Sequence, residues 1–207
     1  MLLNRIKNLL KKNTNKKYPF IHESSRIASN VNVYNPHNLI MGKKTNIDDG
    51  AIIMNTRAKF IMGDYSGAAI GLLVITGNHM SVVGKSHKQI KDIDKDLSKN
   101  PKQYDKDIVV EEDVWLGARV TLLYGSHIKR GAIIGAGSVV RSSIPPYSIA
   151  IGNPAKVVGF RFTPDQIIQH EQAIYAPEER ISTDEINNIY DKYILKRIKQ
   201  IKNYTNI

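Results

Sequence analysis

Aliphatic side chains return at every sixth position through the second half of the chain. The uninterrupted series is Val110, Leu116, Leu122, Ile128, Ile134 and Val140. Four positions after each member comes a smaller or shorter residue: Val114, Val120, Ser126, Ala132 and Ser138, with Ile144 as the exception. A period of six matches neither an α-helix nor an alternating strand, whose side-chain periods are about 3.6 and 2.

The same period appears upstream in three groups. Their members are Ile21, Ile27, Val33; Met41, Ile47, Ile53; and Met62, Ala68, Val74. The register between the groups holds only if residues 39–40 and 59–61 are taken as insertions. These two insertions are chosen to fit, whereas the series from Val110 to Val140 requires no such choice.

Such spacing predicts short flat strands joined by turns, three strands to a coil, wound around a triangular prism. The aliphatic side chain points into the prism, and the smaller one fits at a corner where two walls converge. Glycine, asparagine and aspartate recur at the turns, as in "IGAGS" and "NIDDGA", because they tolerate positive φ. Fifteen hexads predict about five coils, each burying its inner face by stacking on its neighbours. A β-sandwich with coincidental spacing is the alternative, and six consecutive hits disfavour it.

The repeat breaks between His79 and Val110, in a polar stretch rich in charged residues. A long excursion from a compact repeat is more often functional than idle. We therefore predict an extended loop over residues 80–109, inside a β-helix domain that spans residues 21–158.

Both ends of the chain carry helical patterns. We expect an N-terminal basic amphipathic helix over residues 1–20 and a C-terminal helical extension over residues 159–207. In the extension, Thr163 is suited to cap a helix that begins with Pro164. A second, amphipathic helix is indicated by apolar residues at helical spacing: Ile186, Ile189, Tyr190, Tyr193, Ile194, Ile198 and Ile201.

The N-terminal segment has two interpretations. Its apolar stripe lies opposite basic residues and consists of Leu2, Leu3, Ile6, Leu9 and Leu10. Such a stripe is typical of a weak contact with an anionic membrane surface. Packing against the C-terminal helix is the interpretation that we favour.

The composition narrows the class of protein. The chain has 207 residues, no cysteine and a formal net charge of +11, so disulfides and thiolate chemistry are excluded. No apolar run approaches the ~20 residues of a membrane-spanning helix, and the N-terminus lacks the apolar core of a signal peptide. We expect a cytoplasmic protein, peripheral at the inner face of the membrane if the N-terminal stripe binds there. The basic residues cluster at both ends without a nucleic-acid-binding motif, which favours a polyphosphate cofactor or an acidic polymer over nucleic acid.

The segment "VWLGARVTLLYGSHIKRGAIIGAGSVVRSSIPPYSIAIGNPAKVVGFRF" resembles the hexapeptide-repeat acyltransferases. The resemblance covers about residues 21 to 162, and its motifs are "VWLG", "IGAGSVV" and "GNPAK" after "IPP". The most similar branch is that of the acetyl-CoA-dependent O-acetyltransferases, which includes galactoside, maltose, streptogramin, chloramphenicol and capsule or lipopolysaccharide acetyltransferases. It implies a mainly β fold, a left-handed parallel β-helix of about five coils with an extended loop and terminal α-helices.

The resemblance also implies a catalytic histidine at the root of the loop, where His79 stands in "TGNHM". Acyl transfer to a hydroxyl needs a base, because an alcohol is a weak nucleophile at neutral pH. A histidine has an unperturbed pKa of about 6.5, so it can accept that proton and return one to the thiolate. His87, inside the loop, is the rival for this role.

Acetyl-CoA is the cosubstrate that the resemblance implies, and no metal is expected. Small residues at two positions allow the pantetheine arm to approach the backbone, and cationic groups meet the phosphates. The outward-facing tryptophan lines the slot near the acceptor and the reactive arm. The residues that match these positions are Trp115, Ala118, Ala136, Arg141, Lys156 and Arg161.

The acceptor side departs from the family's pattern. Where galactoside-type members have an asparagine that contacts the sugar, this chain has Asp48, which indicates either a different acceptor or an acidic turn. The other residues expected to contact the acceptor are Tyr65, Asn78 and Trp115.

Together these features predict an O-acetyltransferase that acts on a saccharide, either a surface (capsule or lipopolysaccharide) polysaccharide or its precursor. The alternatives are an acetyltransferase for an antibiotic-type xenobiotic and, in a different class, a non-catalytic β-helix scaffold or binding module. The resemblance further implies a homotrimer with active sites between subunits. In such a trimer His79 would face Trp115, Ala136 and Lys156 of an adjacent chain.

Overall fold

Three parallel sheets form the walls of a triangular prism in the computed structural model, which describes the backbone of residues 17–204 and the side chains of residues 17–194. The first wall contains β1 (Arg26–Ile27), β4 (Asn46–Ile47), β7 (Gly67–Ala68), β10 (Trp115–Leu116), β13 (Ile133–Ile134), β16 (Ser148–Ile151) and the antiparallel β17 (Lys156–Phe160). The second wall contains β2 (Asn32–Val33), β5 (Ile52–Met54), β8 (Leu73–Ile75), β11 (Thr121–Leu123) and β14 (Val139–Val140). The third wall contains β3 (Leu39–Met41), β6 (Phe60–Met62), β9 (Ile108–Val110), β12 (His127–Ile128) and β15 (Ser143–Ile144).

The strands β1 to β15 make the five coils expected from the hexads, and the predicted left-handed parallel β-helix is confirmed. Register follows the aliphatic series, since Leu116 pairs with Ala68 on one side and with Ile134 on the other. Ile21 adds one bridge to Met41 below the first coil. Every aliphatic position of the predicted series lies in the central hydrophobic core or packs against it.

The corners of the prism bend through left-handed backbone, three residues after a buried aliphatic position. Residues with positive φ at these places are Lys44, Gly50, Tyr65, Gly71, Asp113, Arg119, Gly125, Gly131, Gly137 and Tyr147. Half of them are not glycine, so the stacked coils impose a conformation that costs about 1–2 kcal/mol for an ordinary residue. At Gly131 a side chain is also excluded by space, because a Cβ there would lie 2.4 Å from the Tyr147 ring.

Changes in coil length fall at the corner between the second and third walls. The two and three inserted residues lie within the segments 34–38 and 55–59, before the third-wall strand begins, and not at 39–40 and 59–61 as expected. Leu39 and Ile40 instead pair with Phe60 and Ile61 inside the third wall.

Ile144 is not an exception among the small residues. It pairs with Ile128 and takes the inward aliphatic place of the third wall, because the corner after Val140 is two residues shorter than a full hexad.

The long loop leaves the same corner. It begins after β8, at residue 76, and ends at residue 107, because 108–109, expected in the loop, already belong to β9. Within it lie two 3-10 turns, His87–Gln89 and Pro101–Gln103, and the short helix α1 (Asp92–Asp96). Met62 and Val110 are neighbours in the third wall although the whole loop separates them in sequence.

The C-terminal part folds back as β17 and continues into helices α2 (Pro164–Ile174) and α3 (Thr183–Tyr204). Thr163 caps α2 as predicted, with its hydroxyl accepting the Gln166 N–H and Pro164 in the first turn. In α3, Tyr190 packs on Phe160 with ring centroids 4.9 Å apart, while the side chains of Ile198 and Ile201 lie outside the described residues.

The predicted N-terminal helix lies largely outside the described residues, since its positions 1–16 are not among them. Its last four positions, 17–20, are a bend and a turn and not a helix. Pro19 accounts for this difference, because its ring disfavours a helical conformation of the residue before it.

A buried polar network joins the helical extension to the prism. Arg130 donates to Glu171 Oε2 at 2.9 Å and to the Glu179 carbonyl at 2.8 Å, and its guanidinium lies 3.9 Å from the centre of the Tyr175 ring. The Tyr147 hydroxyl donates to the other oxygen of Glu171 at 2.5 Å. Burial, together with that hydrogen bond, raises the pKa of Tyr147. The extension is thus held by a carboxylate whose two oxygens are both occupied.

Replacing Arg130 with methionine should lower the free energy of unfolding by about 3–5 kcal/mol, because Glu171 would stay buried without its cation. Chemical denaturation followed by circular dichroism measures this loss. The matched control is Lys129→Met, since Lys129 lies 3.9 Å from the exposed carboxylate of Glu185 and should contribute no more than about 1 kcal/mol. Equal losses in the two variants would contradict the assignment.

Candidate active site

The two ends of the loop pair with each other where they leave the prism. The Lys106 N–H donates to the Thr76 carbonyl at 3.0 Å, and the Asn78 N–H donates to the Tyr104 carbonyl at 2.6 Å. His79 is the first residue beyond this pairing, and its N–H donates to Asn78 Oδ1 at 2.9 Å. The candidate base therefore lies directly beyond the backbone hydrogen bonds that close the loop.

His79 is exposed and lines a cavity of about 590 Å³ against the second wall. One side of the cavity is apolar and consists of outward side chains of β5, β8 and β11, namely Met54, Ile75 and Leu123. The other side is charged and comes from the neighbouring corner and the loop: Arg57, Asp92, Lys95 and Asp105. A ligand in this cavity would therefore contact the imidazole of His79, the apolar wall and the charged side chains.

Trp115 faces outward from the first wall, as predicted, and is 46% exposed. It stands between Gly67 and Ile133 in the register of that wall. A Cβ on Gly67 would come 3.1 Å from Trp115 Cζ3 and 2.9 Å from Asn46 Oδ1. The missing side chain at position 67 therefore lets the indole lie close against the wall.

A pocket of about 270 Å³ surrounds the indole, lined by Asn46, Tyr65, Gly67, Asp113, Val114, Trp115, Ile133 and Arg161. Tyr65 is 60% exposed, and the Lys44 ammonium lies 5.9 Å from its ring centroid. Arg161 donates to Asp113 Oδ2 at 2.7 Å. The structure thus gives Arg161, expected near the cofactor phosphates, a carboxylate partner beside the tryptophan.

Asp48 lies on the outer side of the first wall, just after β4. Its carboxylate accepts from Arg26 Nη2 at 2.6 Å and from Asn46 Nδ2 at 3.1 Å. Because Asn46 also lines the tryptophan pocket, Asp48 is one residue removed from that pocket.

The two alanines expected beside the cofactor stack on one edge, between the first and second walls. The Gly137 N–H donates to the Ala118 carbonyl at 2.8 Å, and Ala136 is the residue before that glycine. Lys156 begins β17, is exposed, and pairs with Ile151, whose side chain lies against Gly135. The structure therefore brings Ala118, Ala136 and Lys156 towards the same edge of the prism.

The remaining candidates do not share that edge. Arg141 is exposed and follows β14, at the opposite side of the second wall. His79 lines the second wall, whereas Trp115 is on the first. A single chain consequently does not bring its own His79 and Trp115 into one pocket.

Several residues that line these two pockets were not recognised from the sequence, among them Gly67, Asp113, Arg57 and Asp105. Gly67 and Asp113 were detectable in principle, because Gly67 has the same hexad position as Trp115 and Asp113 lies two residues before it. Arg57 and Asp105 carry no such signal, since they lie in an insertion and in the aperiodic loop.

Among the residues that the structure describes, no three histidine, aspartate or glutamate side chains are grouped so as to hold a metal ion. Over the same part of the chain, no helix combines the length and the apolar character needed to cross a membrane.

Replacing Gly67 with alanine should push the indole of Trp115 off the wall and lower the stability by about 1–3 kcal/mol, as overpacking does. Trp115 is the only tryptophan, so a red shift of its fluorescence emission reports the displacement directly. Gly159→Ala is the matched control in β17 of the same wall, because a Cβ there meets nothing within 4 Å. Unchanged emission in Gly67→Ala would show that the contact does not position the indole.

Residues 107–142 match the model of the bacterial transferase hexapeptide (six repeats). Over 88 residues the chain is 38% identical to a galactoside O-acetyltransferase of Lactococcus lactis subsp. lactis (strain IL1403), covering 42% of this chain and 41% of that protein. Over 61 residues it is 48% identical to a probable macrolide acetyltransferase of Lysinibacillus sphaericus, covering 30% of this chain and 34% of that protein. The matches thus span less than half the length of these curated relatives.

A solved structure has a similar fold. The chain is similar to a hexapeptide-repeat-containing acetyltransferase of Vibrio cholerae O1 biovar eltor, complexed with acetyl coenzyme A, with a TM-score of 0.60 and 19% identity. The alignment covers 77% of this chain and 85% of that one. The resemblance expected from the sequence is confirmed: residues 107–142 match the hexapeptide-repeat transferase model, and the fold is similar to that of a solved hexapeptide-repeat acetyltransferase.

Proposed function

We propose that the protein transfers an acetyl group from acetyl-CoA to a hydroxyl group of a saccharide. The observation that carries this proposal is the position of His79, an exposed imidazole at the paired root of the loop and beside a cavity. A scaffold would not need a histidine at such a point. The names of the relatives support acetyl transfer, and one of them is a galactoside O-acetyltransferase.

The imidazole of His79 supplies the acid–base chemistry of the proposed reaction. It accepts the proton of the acceptor hydroxyl as the oxygen attacks the thioester carbonyl. The resulting imidazolium then gives a proton to the departing CoA thiolate, so no proton is left over. Histidine suits both steps because its unperturbed pKa lies near neutral pH.

The edge that carries Ala118, Ala136 and Lys156 is our candidate for binding CoA. Methyl side chains leave room for the pantetheine arm to approach the backbone, and the exposed Lys156 ammonium would bind a phosphate. We keep Arg141 as a second cation for the cofactor. Arg161 we assign to the wall of the Trp115 pocket, because its guanidinium is already paired with Asp113.

For the acceptor, the Trp115 pocket offers an exposed aromatic face bordered by Asn46, Tyr65 and Asp113. Such a face packs against the C–H side of a sugar, while amide, phenol and carboxylate groups bind hydroxyls. Asn78 and Asp48 remain further candidates. A surface polysaccharide or its precursor is the acceptor we favour, in the cytoplasm, where acetyl-CoA is available.

A second candidate function is acetylation of a macrolide-type antibiotic, favoured by the match to a probable macrolide acetyltransferase. Thiol release from acetyl-CoA, measured against a panel of galactosides, oligosaccharides and macrolides, separates the two. Turnover confined to macrolides would replace the saccharide proposal.

The second wall supports a homotrimer with shared sites. Its outward side is largely apolar, since Ile52 and Met54 are 42% and 39% exposed and Tyr34, directly after β2, is 55% exposed. A cyclic assembly covers one such face on every subunit and leaves none open. Because His79 and Trp115 lie on different walls, we propose that the His79 of one subunit meets the Trp115 edge of the next.

Replacing His79 with alanine should lower turnover by about 10²–10⁴-fold, the usual range for loss of a general base, with little change in the KM for acetyl-CoA. Steady-state kinetics with the acceptor selected from the panel measures this. His87→Ala is the control from the same loop and should retain activity. If His87→Ala loses activity and His79→Ala keeps it, the base has been misassigned.

Mixing two inactive variants tests the shared site. After random reassembly of equal amounts of His79→Ala and Trp115→Ala subunits, about a quarter of the sites should combine an intact His79 with an intact Trp115 from the neighbour. The same fraction of wild-type activity should return. His79→Ala mixed with the double variant should stay inactive. A fully active monomer by light scattering would refute the shared site.

A further inference from the structure

A charged cluster ties the loop to the prism next to His79. Arg57 lies at the corner between β5 and β6, and its Nε donates to Asp105 Oδ2 at 3.0 Å. Its Nη2 forms a short contact with the Asp96 carboxylate, and its Nη1 lies 3.9 Å from Asp92 Oδ2. Lys95 adds a second cation, 3.5 Å from Asp105 Oδ1. One guanidinium of the prism therefore engages both α1 and the returning end of the loop.

The cluster is more sheltered than an ordinary surface ion pair. The side chains of Lys95 and Asp105 are each 13% exposed, and that of Arg57 is 33% exposed. The hydrogen bond to Asp96 raises the pKa of Arg57. Half-buried charges that share several partners lose more when one partner is removed than exposed pairs do.

Asp105 connects this cluster to the backbone that carries His79. It bridges to Gly77, and the flanking hydrogen bonds join Lys106 to Thr76 and Asn78 to Tyr104. The approach at Gly77 is tight, because a Cβ there would lie 2.8 Å from Asp105 Oδ1. Any movement of Asp105 is therefore passed to the residues directly before His79.

We propose that Arg57 and Asp105 are positioning residues, which hold the paired root of the loop and thereby fix His79 at the cavity. They act through the backbone, and this inference rests on the proposed role of His79 as the base. A loop of this length gains conformational freedom when its ends are released, and small displacements of a catalytic group lower rates by as much as about 10²-fold.

The test compares two ion pairs of the same loop. Arg57→Gln removes the ion pairs between Arg57 and the loop. Lys85→Met removes only the pair between Lys85 and Asp94, which lie 2.6 Å apart and join two parts of the loop to each other. Hydrogen exchange of the Asn78 and Lys106 amides reports whether the root opens. Turnover and the KM for acetyl-CoA, with the acceptor from the panel, report whether the base is displaced.

In Arg57→Gln we expect both amides to exchange at least about tenfold faster while the amides of β5 and β8 keep their rates, because only the root opens. Turnover should fall by about 10- to 100-fold, with the KM for acetyl-CoA within about twofold of wild type. Lys85→Met should match wild type in both measurements. A merely structural role would leave turnover unchanged once the protein is folded.

Asp96→Asn provides a second variant if Arg57→Gln does not fold. It removes one partner of Arg57 from a side chain that is 47% exposed, and should produce the same changes in the same direction. The proposal would be overturned if Arg57→Gln and Asp96→Asn left the exchange of the two amides unchanged, or if Lys85→Met changed it equally. It would also be overturned if the amides exchanged faster while turnover stayed at the wild-type level. If the wild type turns over no acceptor while the root opens in Arg57→Gln as expected, the proposed function is wrong. The role of Arg57 in holding the root of the loop would still be supported.

Discussion

The stacking of aliphatic side chains along the prism axis is the interaction on which the rest of the structure depends. Each coil presents a row of inward residues that leaves water only when the next coil supplies the matching row. The register is therefore strict, and Met62 stacks on Val110 across the whole loop. The same stacking holds bulky residues such as Tyr65 and Arg119 in left-handed backbone, which they would not adopt alone.

This constraint decides where the chain can vary in length. Additions at a corner leave the rows intact, and the structure places all of its inserted residues at the corner between the second and third walls. The first two insertions are short, and one of them supplies Arg57, while the third is the loop that carries His79 at its root. The short insertion that contains Arg57 thus holds the long loop of the next coil, because corners of consecutive coils lie side by side.

The walls were predictable from the sequence because each inward residue repeats the same environment at a fixed interval. Where the interval changes, the prediction is wrong: it puts the insertions a few residues too late, and it puts Ile144 at the position of a small residue although Ile144 is an ordinary inward one. The loop beside the candidate base was predictable, because the repeat breaks there. The charged cluster did not, because Arg57 and Asp105 meet through folding of aperiodic segments, for which the sequence contains no period to read.

Different interactions hold the two pockets, one beside His79 and one beside Trp115. Trp115 is held by the periodic wall, with a glycine beneath its ring and a carboxylate beside it that also lies 3.4 Å from His170 of the helical extension. His79 is held by the hydrogen-bonded backbone at the root of the loop, outside the period, and by the charged cluster around Arg57. Apolar contacts within a wall respond little to salt, whereas ion pairs weaken as ionic strength rises. Raising the salt concentration should therefore loosen the side of the site that carries the base before it disturbs the side that carries the tryptophan.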